Sequence, residues 1–297
     1  MSASTRGCGA VKVTIIGGGS YQWSPKLITD LLGTASLAGC HVALMDVDSA
    51  PLPRMEGVFR RADELLGSKA TVETTTDRRR ALAGADFVVV TISTGGFTSM
   101  AVDLDVPARH GIRQSVGDSV GPGGINRSLR NIPVLVGIAE DMAELCPRAV
   151  MLNITNPMSC LTRAVARRTG VSVVGLCHEV GHYCLDVALA FGLPWEAVRP
   201  TITGVNHFPV VTALDLGGTD GLARLGALVE ELGGWRQILP GPAREEAEAF
   251  SRLDFARRHA LSLTLLERYG DAVLAGTATL PTHPSGELVA PVIDSLL

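Results

Sequence analysis

Aromatic side chains are scarce, at 4% of the 297 residues, so any core has to be aliphatic; a hydrophobic content of 46% supplies the material for one. Charge is scarce too. Charged residues make up 19% and the net charge is −4, so nothing points to nucleic acid or an anionic membrane as a partner. No apolar run reaches the ~18 residues of a membrane span, and no charged-then-apolar leader opens the chain. The six cysteines (8, 40, 146, 160, 177 and 184) show no paired spacing. They are expected to be reduced thiols in a cytoplasmic protein. There is no internal repeat and no low-complexity linker. The length allows one large domain or two smaller ones. Glycine, by contrast, is plentiful: 33 residues, several of them clustered, as backbone close to a ligand requires.

The apolar runs alternate with helical periodicity. "VKVTII" (11–16), "HVALMDVD" (41–48), a weaker "TVETTT" (71–76), "ADFVVVTIS" (85–93), "AVMLNITN" (149–156) and "VSVVGLC" (171–177) read as strands. Helical patterns follow from Ser24 to Leu32 and up to Leu66. This order predicts an α/β fold, a Rossmann-like doubly wound parallel sheet covered on both faces. Beyond residue 200 the pattern is mixed: "TITGVNHFPVVTALDL", then helical stretches at 219–233 and 243–268. We expect one domain over 8–198 and a smaller, incomplete α+β domain over 199–297.

Gly17-Gly18-Gly19 stands between the first strand and the first helix. Glycines there let the backbone approach a pyrophosphate at a helix N-terminus, where unpaired N–H groups favour anions. Gln22 replaces the third glycine of the usual fingerprint. Asp46, ending the second strand, is placed to accept the ribose hydroxyls and to disfavour a 2′-phosphate, hence NAD over NADP. Gly17, Gly19, Ser20, Tyr21, Asp46 and Thr94 are the candidate cofactor contacts. A tight turn and a capping Asp would account for the same residues without a ligand.

"CHEVGH" (177–182) reads in two ways. His178, Glu179 and His182 form H-E-x-x-H, the zinc-protease spacing in which two His on one helix face grip a metal. Against it, "VSVVGL" reads as a strand ending at Cys177, and Gly181 falls inside the required helix at a cost of roughly 1 kcal/mol. Leu185 and Ala188 stand where the extended pattern wants Gly and His; Glu196 is the remaining choice for a third ligand. The second reading begins at Cys177, a thiolate at a strand end, where ligands gather in parallel sheets. Asn153 and Asn156 end the strand before it, and His207 in "GVNHF" ends another apolar run. Singly these fit a buried thiol, a turn and a core histidine; together they suggest a site.

At this point six blocks, in order, resemble the NAD- and divalent-metal-dependent family 4 glycoside hydrolases. They are "IIGGGSYQWSPKLITDLL", "LMDVD", "GDSVGPGGINRSLRNIPV", "NITNPMSCLTRA", "GLCHEV" and "TGVNHF", spanning about residues 10–215. The resemblance implies Cys177 and His207 as ligands of Mn²⁺ or a similar ion. The tetrad Cys177-His178-Glu179-Val180 looks like the α-galacturonidase variant, which makes the H-E-x-x-H match a coincidence. It implies hydride exchange between NAD and C3 of the sugar, loss of the C2 proton, and elimination of the glycosidic oxygen, the redox exception to two-carboxylate hydrolysis. His178 would be the acid for the leaving oxygen, with Glu179 tuning it or bonding the sugar. Asn153 and Asn156 would bind sugar hydroxyls, and Arg127, or Arg109, a uronate carboxylate. A sugar or uronide substrate, no nucleic acid, no membrane and a homo-oligomer are expected.

The resemblance breaks after "LERYGDAVLAG". The remaining "TATLPTHPSGELVAPVIDSLL" reads as an internal deletion followed by an early stop, without a residue matching the C2 base. Tyr269 is closest in sequence but reads as a packed helix residue. An open pocket, bare apolar surface near Leu288–Leu297, self-association and weak catalysis are expected from such a chain. A lactate/malate-type dehydrogenase and an inactive remnant of a glycosidase are the alternatives, and Cys177 beside His178 argues against the first.

Overall fold

The computed structural model describes residues 10–112 and 119–233. They fall into two compact units, 10–176 and 177–233. The expected 243–268 helix, Tyr269 and the Leu288–Leu297 surface lie outside the described residues.

The first unit is built on β1 (Lys12–Ile16), β2 (His41–Met45), β3 (Thr71–Thr75), β4 (Phe87–Val90), β5 (Val150–Asn153) and β6 (Ser172–Gly175). All pair in parallel in the order β3-β2-β1-β4-β5-β6. That is the doubly wound Rossmann-like arrangement expected, with its switch point between β1 and β4. Strands buried on both faces need near-continuous apolar sequence, and "FVVV" of β4 is buried throughout. Period-two alternation then divides the sheet's side chains between two cores. Val13 and Ile15 join Leu27, Leu31, Met55 and Phe59 on one face. Ile16, Val88 and Val90 join Leu135, Ile138 and Leu161 on the other.

The covering helices are α1 (Ser24–Gly33), α2 (Leu52–Leu66), α3 (Arg78–Leu82), α4 (Gly96–Arg109), α5 (Gly121–Leu145) and α6 (Met158–Arg168). In α2 the buried residues Leu52, Met55, Val58, Phe59 and Ala62 recur at helical spacing, and Gly67 at φ 65° closes the helix. Every strand is shorter than its apolar run. β2 stops at Met45, so Asp46 is the first residue past the strand, and β6 stops at Gly175, two positions before Cys177.

The second unit contains α7 (Glu179–Phe191), an antiparallel hairpin of β7 (Val198–Val205) and β8 (Phe208–Leu216), and α8 (Gly221–Glu231). Its own small core is Cys184, Val187, Ala188, Val198, Leu214, Leu216 and Leu225. The division after Leu176 therefore precedes the 198/199 boundary read from the sequence, because α7 packs with the hairpin and α8. No helix among the described residues is long and apolar enough to cross a membrane. Cys40, Cys146, Cys160, Cys177 and Cys184 are all free thiols.

Candidate metal centre and nucleotide cradle

In the first unit the glycine turn lies tightly against the neighbouring strands. Gly17 has φ 95°, and a Cβ on it would stand 1.9 Å from the carbonyl oxygen of Thr91. Only glycine tolerates both demands. The amides of Gly17 and Gly18 donate to the Met45 carbonyl at 2.9 and 2.8 Å, and Gly19 N donates to Asp46 Oδ2 at 2.9 Å. Asp46 Oδ1 accepts from Asp48 N at 3.1 Å. The carboxylate predicted to meet a ribose thus also fastens the glycine turn, a role not read from the sequence. Ser20 N donates to the Gly17 carbonyl, and Ser20 Oγ caps the approach to α1 by accepting from Trp23 N at 3.2 Å. Tyr21 Oη accepts from Arg54 Nη1 at 3.0 Å, with the guanidinium over its ring.

A buried polar system on α5 ties together two loops that follow strands. Asn131 is fully buried. Its Oδ1 accepts from Thr94 N at 3.3 Å, and its Nδ2 donates to the Asn156 carbonyl at 3.0 Å. Arg127 Nε donates to that same carbonyl at 3.1 Å, and Arg130 Nε to the Thr94 carbonyl at 3.4 Å while its two terminal nitrogens grip buried Asp103. Arg127 is 7% exposed, and its Nε holds the loop after β5. Asn153 is fully buried as well; its Nδ2 donates to Thr162 Oγ1 and the Thr155 carbonyl, and its Oδ1 accepts from Thr155 N. Asn153 thus spends its side-chain hydrogen bonds on the loop after β5 and on α6. Asn156, half-buried and joined to Pro157 by a cis peptide, is the more accessible of the two.

The second unit assembles the chemistry-bearing cluster. Cys177 precedes α7, His178 is its N-cap residue, and Glu179 opens it. Asn206 and His207 are the two-residue turn between β7 and β8. Gly204, at φ 106°, lets the turn tighten, since a Cβ there would lie 2.5 Å from the Phe208 carbonyl oxygen. His207 itself has φ 61°, a left-handed conformation uncommon outside glycine that costs about 1–2 kcal/mol and is the kind of backbone a two-residue hairpin turn calls for.

The turn brings His207 Nε2 to 3.6 Å from Cys177 Sγ. Glu179 N donates to the same sulfur at 3.4 Å. Glu179 Oε2 accepts from His207 N at 2.8 Å and from Asn206 Nδ2 at 3.2 Å. Burial pushes the Cys177 thiol up, but the hydrogen bonds from His207, the Glu179 amide and Asn206 outweigh it and hold the thiol below its ordinary value, on the side of the thiolate. Cys177, Glu179 and His207 place one sulfur, one oxygen and one nitrogen within 4.8 Å of one another. Ligands bonded to one ion at 2.0–2.3 Å stand roughly 3–4 Å apart; the sulfur–nitrogen separation of 3.6 Å lies in that range, and sulfur, nitrogen and oxygen are all donor types that a divalent metal takes.

His182 lies within α7, and its ring meets that of His178 edge-on at a centroid distance of 4.7 Å. Gly181 does not prevent that helix, contrary to the propensity argument. The three-residue donor cluster nevertheless contains Cys177, Glu179 and His207, without His182. The sequence offered no sign that Asn206-His207 forms a hairpin turn beyond its place between two β-rich runs.

With this geometry in hand, the comparisons with known proteins are specific. The family model described as "Family 4 glycosyl hydrolase" matches residues 12–190. The chain is 38% identical over 210 residues to an alpha-galactosidase of Bacillus subtilis, covering 70% of this chain and 49% of that protein. It is 32% identical over 274 residues to an alpha-galacturonidase of the same organism, covering 90% of this chain and 59% of that one. The chain therefore spans about half the length of the curated relatives it matches. A 6-phospho-beta glucosidase of Thermotoga maritima, solved with manganese, NAD⁺ and glucose-6-phosphate, shares the fold at TM-score 0.71 and 19% identity, over 93% of this chain and 70% of that chain. The glycine turn with its acid, the thiol–imidazole pair and the family match over 12–190 lead to one conclusion: this chain belongs to the family 4 glycosyl hydrolases.

Proposed function

We propose that the chain acts in NAD-dependent, divalent-metal-assisted cleavage of α-linked uronides, with α-galacturonide as the substrate class. The observation that carries this reading is the approach of His207 Nε2 to 3.6 Å from Sγ of Cys177, the residue that opens the Cys177-His178-Glu179-Val180 tetrad. An alpha-galacturonidase is among the relatives that align with nine-tenths of the chain. In such a reaction NAD would exchange hydride with C3 and the metal would polarise the oxidised sugar, so that the glycosidic bond breaks by elimination.

The chain's own residues then divide the work. Cys177, held below its ordinary pKa, offers a thiolate, and His207 a neutral nitrogen, to Mn²⁺ or a similar ion. Borderline imidazole beside a thiolate accepts several divalent metals, with sugar and water oxygens completing an octahedron. His178 is placed beside Cys177 to give a proton to the departing glycosidic oxygen, a task suited to the imidazole pKa range. Gly17, Gly19, Ser20, Tyr21 and Thr94 frame the NAD cradle, and Asp46 accepts from the adenosine ribose. Asn156 bonds sugar hydroxyls. Free thiols suit the reducing cytoplasm, and we place the protein there as a homo-oligomer.

Asp46→Ala is expected to raise the NAD⁺ dissociation constant roughly 10-fold or more, because charge-assisted hydrogen bonds are lost. Asp46→Asn, which keeps an acceptor for Gly19 N, separates the ribose effect from a loosened turn. Unchanged NAD⁺ affinity in both variants, measured calorimetrically, would remove Asp46 from the site. The function as a whole is tested by loading the protein with NAD⁺ and Mn²⁺ and supplying p-nitrophenyl α-galacturonide beside p-nitrophenyl α-galactoside. Release of nitrophenol from the uronide that needs both NAD⁺ and Mn²⁺ is the expected result. Preference for the galactoside would move the substrate class away from uronides.

A further inference from the structure

We infer that Glu179 is a third protein ligand of the metal, so that the centre is a sulfur–nitrogen–oxygen set drawn from one 31-residue stretch, Cys177 to His207, and is charge-neutral when filled. The inference rests on the metal reading of the site given above and goes beyond the thiol–imidazole pair implied by the family resemblance, under which Glu179 tunes His178 or bonds the sugar.

Three features of the cluster support it. The first is distance. One carboxylate oxygen of Glu179 belongs with Cys177 Sγ and His207 Nε2 to a group whose members all lie within 4.8 Å, and the sulfur–nitrogen separation is 3.6 Å. The sulfur–nitrogen separation is already that of two ligands of one ion, roughly 3–4 Å, and the carboxylate oxygen belongs to the same group. The second is orientation. Glu179 Oε2 is fixed by His207 N at 2.8 Å and by Asn206 Nδ2 at 3.2 Å. Ligating carboxylates are commonly held by such outer hydrogen bonds. Here the turn that presents the imidazole also aims the carboxylate, so two donors are positioned by one device. The third is charge. All three residues are half-buried. A divalent ion with one thiolate and one neutral imidazole leaves a net positive charge in a partly desolvated place, which is costly. A carboxylate cancels it. It also adds a hard oxygen donor, shifting preference toward ions such as Mn²⁺ and away from the softer metals a bare thiol–imidazole pair would favour.

This reading assigns the glutamate of the H-E-x-x-H coincidence to the metal itself, in place of the base it would be in a zinc protease.

The test uses the whole chain without NAD⁺ or sugar, so that no step of turnover enters the result. Bound Mn²⁺ is counted by the loss of the free-ion electron paramagnetic resonance signal. Glu179→Gln keeps an acceptor for His207 N and so leaves the turn in place while removing the charged ligand. Its Mn²⁺ dissociation constant is expected to rise roughly 10- to 100-fold, and Glu179→Asp should recover part of that loss. In difference infrared spectra of the wild type, adding Mn²⁺ should shift a carboxylate stretching band that Glu179→Gln lacks, a readout that also serves if a variant folds poorly. Wild-type Mn²⁺ affinity in Glu179→Gln, or no carboxylate shift in the wild type, would overturn the inference while leaving the Cys177–His207 pair standing. A wild-type chain that binds no Mn²⁺ would overturn both.

Discussion

Cys177→Ser is expected to weaken Mn²⁺ binding by at least about 100-fold and to abolish any metal-dependent turnover, whereas His182→Ala should change Mn²⁺ binding by less than roughly 3-fold. The asymmetry follows from geometry. Cys177 is the donor on which His207 and the Glu179 amide converge, at 3.6 and 3.4 Å. Serine keeps a polar atom there, but its hydroxyl ionises far above neutral pH and is a poor ligand beside a thiolate. His182 touches the ring of His178 and stands outside the donor cluster. Equilibrium dialysis against Mn²⁺ separates the two variants without any assay. If His182→Ala lost the metal and Cys177→Ser kept it, the two-histidine protease spacing would be the operative motif after all.

Gly17→Ala should be the most damaging single methyl in the nucleotide-binding unit. The added Cβ would stand 1.9 Å from a backbone oxygen of Thr91, on a residue at φ 95°. Neither fault can be relieved by turning a side chain. β1 and β4 would have to part where both are fully buried, or the turn would have to leave β2, to whose Met45 carbonyl Gly17 N is bonded. A loss of about 3 kcal/mol or more is expected, seen as a fall in melting temperature of roughly 6–12 °C, together with loss of NAD⁺ binding. Gly33→Ala is the control. It sits in α1 with open space around its would-be Cβ, and it should be neutral or slightly stabilising. Equal melting temperatures for the two variants would show that the turn is more yielding than its contacts suggest.

The two halves of the fold differed in how far their sequence revealed them. The parallel sheet was legible because a strand buried on both faces leaves an almost unbroken apolar signature, as in "FVVV" and "KVTII". The glycine turn was legible because backbone crowding permits no other residue. Strand ends were read too long, because apolar residues continue past the last ladder bond: Ile92 and Ile154 look like strand in sequence but follow it in space. The helix α7 was discounted on account of Gly181, yet burying Cys184, Val187 and Ala188 against Val198 and Leu214 outweighs a propensity cost of roughly 1 kcal/mol.

Within the site, Cys177 and His207 could be singled out as residue types at the ends of apolar runs. Their mutual approach could not, because it depends on a hairpin whose tip carries His207 in a left-handed conformation. For Asn153 and Arg127 polarity alone named no partner: both are buried, Arg127 Nε bonding the Asn156 carbonyl and Asn153 bonding Thr155 and Thr162. A sequence shows that a residue can make hydrogen bonds; it does not show with whom.

The position of the donors along the chain has a consequence for folding order. Cys177 and His207 are 30 residues apart, and both lie in the smaller unit. An ion bridging them would act as a removable cross-link, closing a single loop around α7 and β7. In chain-entropy terms, joining ends at that separation withdraws roughly 3–4 kcal/mol of freedom from the unfolded ensemble. Much of that gain is available as soon as helix and hairpin meet, whether or not the long-range parallel pairings of the sheet have formed. A chelator would therefore act on this unit as a reductant acts on a disulfide-stapled miniature domain. It would lengthen the free tether between helix and hairpin and return to the chain the disorder that the ion had taken away.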